Sequence, residues 1–131
     1  MRWRDGTARL RIGRDDGTET VVPLEIAASY RARTRGLLGR DGIEGALLLT
    51  PASSVHTFRM RFPIDVAHLD RRMRVIAVRT MPPGRLGALR LRARHVLEAE
   101  AGAMHRWGLA PGTTVTVVPG AAQSGLRTTS R

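Results

Sequence analysis

Hydrophobic and polar residues alternate along several short stretches of this chain, which is the pattern of strands with one buried face. In the segment from Thr7 to Ile12, for example, Ala8, Leu10 and Ile12 alternate with arginines. A turn at residues 15–17 then predicts a hairpin, whose second strand ends at Pro23 or lies at a sheet edge because of it. Further strands are predicted at residues 45–50, 55–59, 64–69, 74–80, 90–99 and 113–118.

Two short segments have helical rather than strand character. Ser29 suits an N-cap before a helix over residues 30–38, and Gly39 suits its C-terminal end. A second helix is predicted over residues 102–107, ending at Gly108. Because strands dominate, we expect an α+β fold with a strand-rich, mostly antiparallel, barrel-like sheet and two short helices.

The segments 55–59 and 64–69 are predicted to form a hairpin around Pro63. Opposite residues of a hairpin have neighbouring side chains, so His56 is expected near Asp65 or Ala67. A carboxylate next to a histidine would raise its pKa or fix its tautomer. This hairpin is therefore the predicted location of a site.

Several side chains near this hairpin have types suited to ligand binding. Arg59, Arg61 and the more distant Arg35 are suited to bidentate binding of a carboxylate or phosphate. His56 and Asp65 are the candidates for catalysis, with His56 as general base. The alternative is that His56 and Asp65 only satisfy buried backbone groups. A Ser–His–Asp triad with Ser53 or Ser54 is compositionally allowed, but no Gly-x-Ser-x-Gly motif supports it.

The length and composition of the chain exclude several kinds of site. The chain has 131 residues, which fits one domain; we expect a globular domain over residues 1–119 and a disordered tail over residues 120–131. It has no cysteine, which excludes disulfides, thiol catalysis and cysteine metal sites. The four histidines show no metal-ligand spacing, and His68 is expected in the core; no metal and no cofactor are predicted.

The positive charge suggests an anionic partner. All 22 basic residues are arginine, against 11 acidic residues, giving a net charge of +11. A small anionic ligand or an acidic protein would suit this excess, although GC-rich coding also favours arginine. Nucleic acid is less favoured, because the chain lacks a recognisable binding motif and has only 4% aromatics to stack on bases. Arg90, Arg92 and Arg94 would form a stripe on one predicted strand, either a phosphate contact or a solvated face.

No apolar run approaches the roughly 20 residues of a membrane-spanning helix, and no N-terminal export signal is visible. We therefore expect a soluble, cytoplasmic protein without a membrane span.

Four segments together resemble the uncharacterised bacterial and archaeal family called domain of unknown function (DUF) 192. They are Ala32–Arg40, Val55–Met60 running into Pro63–Asp70, Val96–Ala99 with Ala101 and Gly102, and Trp107–Leu109 followed by Gly112. The resemblance covers about residues 26–118 and implies a compact α+β domain with no established activity. The family pattern includes the positions of Arg35, Gly36, His56, Met60, Asp65 and Glu98. His68 departs from it, because the family usually has an apolar residue there.

Three functions are consistent with the sequence. The first is a non-enzymatic binding domain for a small anionic or polar ligand, or for an acidic partner, using Arg35, His56, Arg59, Arg61 and Asp65. The second is a small hydrolase-like enzyme that uses His56 and Asp65. The third is a structural or assembly role for the arginine-rich surface.

Overall fold

The computed structural model describes residues 3–120, which form one seven-stranded sheet and two short helices. The predicted tail from residue 121 onward lies outside the described residues. The elements in chain order are β1 (Gly6–Gly13), β2 (Glu19–Ala27), α1 (Tyr30–Arg35), β3 (Ala46–Leu49), β4 (Ile64–Leu69), β5 (Val75–Met81), β6 (His95–Glu100), α2 (Ala103–Trp107) and β7 (Val115–Pro119).

The strand order is β5-β4-β6-β3-β2-β1-β7, so β6 and β3 lie in the middle of the sheet. Every strand pair is antiparallel except β2 with β3, which confirms a mostly antiparallel sheet. The edge strands β5 and β7 do not form a ladder with each other. An isolated bridge between Arg74 and Thr114, just before these strands, is the pairing between the two edges. The expected barrel-like closure is therefore not confirmed.

Two hydrophobic clusters pack on the two faces of this sheet. The α2-side cluster contains Leu97 and Ala99 of β6 together with Met104 of α2. The α1-side cluster contains Val96 of β6 together with Leu37, which follows α1. Side chains of a strand point alternately to opposite faces, so Glu98 lies on the face of Val96 and the α1-side cluster.

Proline 23 is tolerated inside β2, where the sequence predicted a strand end or a sheet edge. It pairs with Arg9 of β1 on one side. On the other side the β2–β3 ladder begins only at Leu24, opposite Ala46. The missing N–H of Pro23 therefore interrupts no hydrogen bond with β3. Gly45 must be glycine at this point, because a Cβ there would clash with the Pro23 carbonyl oxygen.

Helix α1 is shorter than predicted. Ser29 caps it as expected, accepting a hydrogen bond from the Ala32 N–H at 3.1 Å. The helix ends at Gly36 rather than Gly39, because Gly36 adopts a positive φ of 47° that halts the helical hydrogen-bonding pattern. The chain then turns toward the sheet, and Leu37 is buried in the α1-side cluster.

The predicted hairpin between residues 55–59 and 64–69 is wrong. Strand β4 pairs instead with β5 and β6. Residues 53–58 form an irregular segment held against the loop 82–94, and His56 makes only an isolated bridge with Leu86. The buried Thr57 explains this arrangement: its hydroxyl donates to the Pro82 carbonyl at 2.7 Å and accepts from the Arg85 N–H at 2.8 Å.

Strand β6 begins at His95, not at residue 90 as the sequence suggested. Arg90, Arg92 and Arg94 therefore lie on the loop 82–94 and do not form a stripe on a strand face. Within residues 3–120, the structure contains no helix long and apolar enough to cross a membrane.

Candidate functional site

Glu98 is a buried acidic residue in the interior strand β6, between β3 and β4. Its side chain is only 5% exposed, and within residues 3–120 its carboxyl group has no hydrogen-bond or ion-pair partner. Burial raises the pKa of Glu98 from its usual 4.5 to about 7. A buried carboxyl group without a partner costs free energy, and such groups cluster at functional sites.

A small pocket of about 70 Å³ lies above Glu98, between the end of α1 and the segment 53–60. Arg35 and Gly36 form one wall, His56 and Met60 form the other, and Glu98 also lines it. A Cβ added to Gly36 would lie 3.9 Å from Glu98 Oε1, which places the carboxyl group directly beneath this glycine. Water occupies about 30 Å³ in the liquid, so the pocket has room for one small functional group.

Arg33, which also lines the pocket, connects α1 to other parts of the fold by hydrogen bonds. Its guanidinium group donates to the carbonyl oxygens of Ala28 at 3.3 Å and Pro51 at 3.1 Å, on either side of α1. The bond to Pro51 connects α1 to the chain just before the segment 53–60, which carries His56.

His56 lies at the mouth of the pocket and is exposed. Its ring stacks on Phe58, with centroids 5.1 Å apart and an angle of 22° between the planes. The pair presents an aromatic surface beside the opening. Arg35 is also exposed and provides positive charge at the same opening.

Asp65 lies on the opposite face of the sheet from Glu98 and has a structural role. Its Oδ1 accepts from the Thr80 hydroxyl at 2.6 Å. Its Oδ2 accepts from the backbone N–H groups of Gly102 at 2.9 Å and Met104 at 3.0 Å. The N-cap residue of α2 is Gly102, which has no side chain, so Asp65 caps this helix from strand β4.

The structure thus separates the residues that were predicted to act together. His56 is exposed at the pocket mouth, whereas Asp65 is buried on the α2 side, and no hydrogen bond joins them. This separation also removes the geometric basis for a Ser–His–Asp triad. Of the five predicted binding residues, Arg35 and His56 line the pocket.

Arg59 and Arg61 do not line the pocket. Arg59 is exposed and has a positive φ of 63°. Arg61 forms an exposed ion pair with Asp41 at 3.2 Å, a kind of contact that contributes little to stability. Among residues 3–120, no three histidine or acidic side chains are grouped closely enough to hold a metal ion.

His68 is buried, as expected for a core histidine. Burial lowers its pKa, and the nearby charges of Arg90 and Arg79 lower it further. The Nε2 of His68 lacks a hydrogen-bond partner within the described chain.

Sequence reasoning from the residues alone did not single out Glu98 as a site residue. The available signal was an acidic residue inside the apolar run His95–Ala99, where an unpaired charge is unfavourable. The resemblance to the family pattern did include it. Five of the six positions noted in that pattern line this one pocket, and the sixth, Asp65, caps α2.

Comparisons with known proteins agree with this resemblance. The DUF192 family model, described as an uncharacterized ACR, matches residues 11–117. UPF0127 protein PH1112 of Pyrococcus horikoshii is 32% identical over 84 residues, covering 60% of this chain and 73% of that protein.

Two solved structures share the fold. One, titled a "putative transcription regulator" from Sinorhizobium meliloti, has a TM-score of 0.73 at 18% identity and covers 89% of this chain and 98% of its own. The other, a protein of unknown function from Novosphingobium aromaticivorans, has a TM-score of 0.74 at 19% identity, with 84% of each chain covered. At these low sequence identities, the two structures show only that the fold is shared. The family model, in contrast, matches most of the sequence. The chain belongs to the DUF192 family.

Proposed function

We propose that this protein is a binding domain for a small polar ligand, which inserts a hydrogen-bonding group into the pocket above Glu98. The observation that carries the proposal is the Glu98 carboxyl group itself, which is buried, unpartnered within residues 3–120, and faces a space the size of one functional group. A ligand that forms hydrogen bonds with this carboxyl group would gain the free energy of making them.

The pocket favours a group that both donates and accepts hydrogen bonds. With a pKa of about 7, Glu98 is present in both protonation states near neutral pH. A carboxylate only accepts, whereas a protonated carboxyl group also donates. A hydroxyl or a primary amide satisfies either state. An ammonium group is disfavoured because Arg33 and Arg35 line the same pocket.

The body of the ligand would remain at the mouth of the pocket. His56 and Phe58 offer a stacked aromatic surface there, and Arg35 offers a guanidinium group for a carboxylate or phosphate. An anionic or polar ligand with one hydroxyl or amide end fits these features. Arg59, Arg61 and Asp65 do not contribute to the proposed binding site.

A titration with two matched amides tests the proposal. We expect acetamide to shift the backbone NMR signals of Gly36, Leu37 and His56 saturably. N,N-dimethylacetamide, which has no N–H donor, should leave these signals unchanged at a pH well above 7, where Glu98 is a carboxylate and only accepts hydrogen bonds. Equal responses to both compounds would contradict a hydrogen bond to Glu98 as the basis of binding.

Two glycine variants supply the matched controls. Gly36→Ala places a methyl group 3.9 Å from Glu98 Oε1 and should abolish the acetamide response. Gly39→Ala also has a positive φ, of 79°, but no atom lies within 4 Å of its Cβ position. Both variants carry the backbone strain of alanine at positive φ, so only the loss specific to Gly36→Ala reports on the pocket.

An acid–base enzyme is the second candidate, because a carboxyl group with a pKa of about 7 shares this pocket with His56. Glu98→Gln separates the two functions, since glutamine keeps hydrogen bonding and cannot transfer a proton. A binding domain leaves the bound compound unchanged with either residue. An enzyme converts it, and Glu98→Gln loses the conversion.

A further inference from the structure

Exposed hydrophobic side chains concentrate on one part of the surface, away from the interior of the Glu98 pocket. Among residues 3–120, the large hydrophobic residues that are exposed are Val21, Tyr30, Phe58, Leu86, Leu89 and Leu91. Three of these are leucines within six consecutive residues of the loop 82–94, and their exposed fractions are 74%, 61% and 81%. Scattered apolar residues are normal on a surface, but a concentration of them marks an interaction site.

The loop that carries these leucines is held in place by backbone hydrogen bonds. The Gly87 N–H donates to the Val55 carbonyl at 2.8 Å, and the Arg90 N–H donates to the Ser53 carbonyl at 3.1 Å. The loop therefore lies alongside residues 53–58, which carry the exposed Phe58. The leucines are presented by an ordered backbone, so their exposure is a property of the fold.

Positive charge surrounds the same leucines. Residues 71–97 contain no aspartate or glutamate, and the loop 82–94 alone contains four arginines. Arg92 and Arg94 meet Arg71, Arg72 and Arg74 of the β4–β5 turn around a surface depression of about 410 Å³, which Leu91 also lines. Within the described part of the chain, none of these five arginines forms an ion pair with an acidic side chain.

Asp70 is the acidic residue at this depression, and it is occupied by the turn itself. Its Oδ1 accepts from the backbone N–H groups of Arg72 at 2.8 Å and Arg74 at 3.1 Å. The charges of Arg72 and Arg74 also act on Asp70 at longer range, but within the described chain no salt bridge involves the five arginines, and their guanidinium groups can contact an external anion. We call the loop 82–94 together with Arg71, Arg72 and Arg74 the leucine–arginine surface.

We propose that the leucine–arginine surface binds the surface of an anionic lipid membrane, with Leu86, Leu89 and Leu91 entering the headgroup region and the arginines contacting lipid phosphates. Exposed leucines beside unpaired arginines are the combination that peripheral membrane contacts use, since both apolar burial and anionic lipids contribute. This surface adjoins the mouth of the polar-ligand pocket, because Leu86 bridges His56, but it shares no lining residue with that pocket.

Other partners fit the leucine–arginine surface less well. A second copy of the chain would bring unpaired arginines against each other, which is repulsive. Nucleic acid would contact the arginines, but its bases stack on aromatic rings and make little use of aliphatic leucines. A lipid surface uses the leucines and the arginines together.

Vesicle sedimentation of the full chain tests the proposal. We expect binding to mixed phosphatidylcholine–phosphatidylglycerol vesicles and little binding to phosphatidylcholine alone. The double variant Leu86→Ser/Leu91→Ser should bind the mixed vesicles at least tenfold more weakly, because each leucine loses the transfer of an apolar side chain. The control Val21→Ser/Tyr30→Ser removes two exposed apolar residues elsewhere and should bind like the unchanged protein.

The contribution of charge is tested separately. Arg92→Gln/Arg94→Gln should weaken binding about tenfold or more and reduce its sensitivity to salt, since each arginine near an anionic surface contributes about a fivefold gain. Arg4→Gln/Arg9→Gln, at two exposed arginines elsewhere on the surface, is the control for the same change in net charge.

Three results would overturn the proposal. The first is no binding to the mixed vesicles beyond that to phosphatidylcholine. The second is binding that the leucine variant leaves unchanged, which would mean a purely electrostatic contact. The third is tighter binding to double-stranded DNA that depends on the arginines and not on the leucines. Circular dichroism melting of each variant confirms that the compared proteins are folded.

Discussion

Asp65 and Glu98 are both acidic residues buried in adjacent strands of one sheet, yet their surroundings are opposite. Asp65 faces the α2 side, where three donors bond its two oxygens. Glu98 faces the α1 side, where its carboxyl group meets a pocket and, within residues 3–120, no donor. A buried polar group with all its bonds made stabilises a fold, whereas one left without bonds lowers stability and is available to a ligand.

The difference shows why burial alone does not identify a functional residue. The exposed fractions are nearly the same, 3% for Asp65 and 5% for Glu98. The two residues differ in their hydrogen-bond partners, since three donors bond Asp65 and, within residues 3–120, none bonds Glu98. The acid suggested by its nearness to a histidine in the sequence is the structural one, and the acid within an apolar strand lines the pocket.

Removing Asp65 should give the largest change in stability. Asp65→Ala leaves the Thr80 hydroxyl and the N–H groups of Gly102 and Met104 without their acceptor. We expect a loss of roughly 3–4 kcal/mol in the free energy of unfolding, measured by urea denaturation. Asp41→Ala, at an exposed ion pair, is the control and should be nearly neutral. A loss no larger than that of the control would remove the distinction between the two acids.

Glu98 should make stability depend on pH in a defined window. Its pKa is about 7 in the folded protein against an ordinary 4.5, so the native state binds the proton more tightly. Stability from this group is therefore complete below about pH 4.5 and is lost as pH rises to about 7, by on the order of 3 kcal/mol.

The variant Glu98→Gln removes this titration and isolates its effect. Relative to the unchanged protein, the variant should gain stability as the pH is raised from 4.5 to above 7. Urea denaturation at both pH values measures the gain. If the two proteins keep a constant difference across this window, Glu98 does not titrate as an unpartnered acid.

Thr80→Val should give the smallest effect, because it removes one of the three donors to Asp65 and keeps the shape of the side chain. We expect a loss of about 1 kcal/mol in the free energy of unfolding. Thr116→Val, at an exposed position of β7, controls for the change from threonine to valine in a strand. Equal stabilities of the two variants would show that the hydroxyl contributes nothing to holding Asp65.

The local sequence pattern was sufficient to predict much of the sheet and the start of both helices. The alternation around Leu10 predicted β1, and Gly102 to Trp107 predicted α2 almost to the residue. These elements depend on side-chain periodicity and end signals that lie within a few residues.

The segment 53–60 shows where local pattern fails. Its alternation resembles a strand, but Thr57 bonds to Pro82 and Arg85, which are more than 20 residues away. The same holds for the site: the donors to Asp65 come from Thr80, Gly102 and Met104, and the pocket above Glu98 needs the end of α1. Such long-range partners cannot be read from neighbouring residues.

The direction of strand β3 determines what covers Glu98. A parallel pair such as β2 and β3 cannot be joined by a tight turn, so the chain must cross one face of the sheet between them. That connection, residues 28–45, contains α1 and Gly36 and lies over the α1-side cluster. In evolutionary terms, the connection can diverge in length and sequence while the strand pairing stays intact. The residues above Glu98 can therefore vary between proteins with this strand order without a change in the sheet.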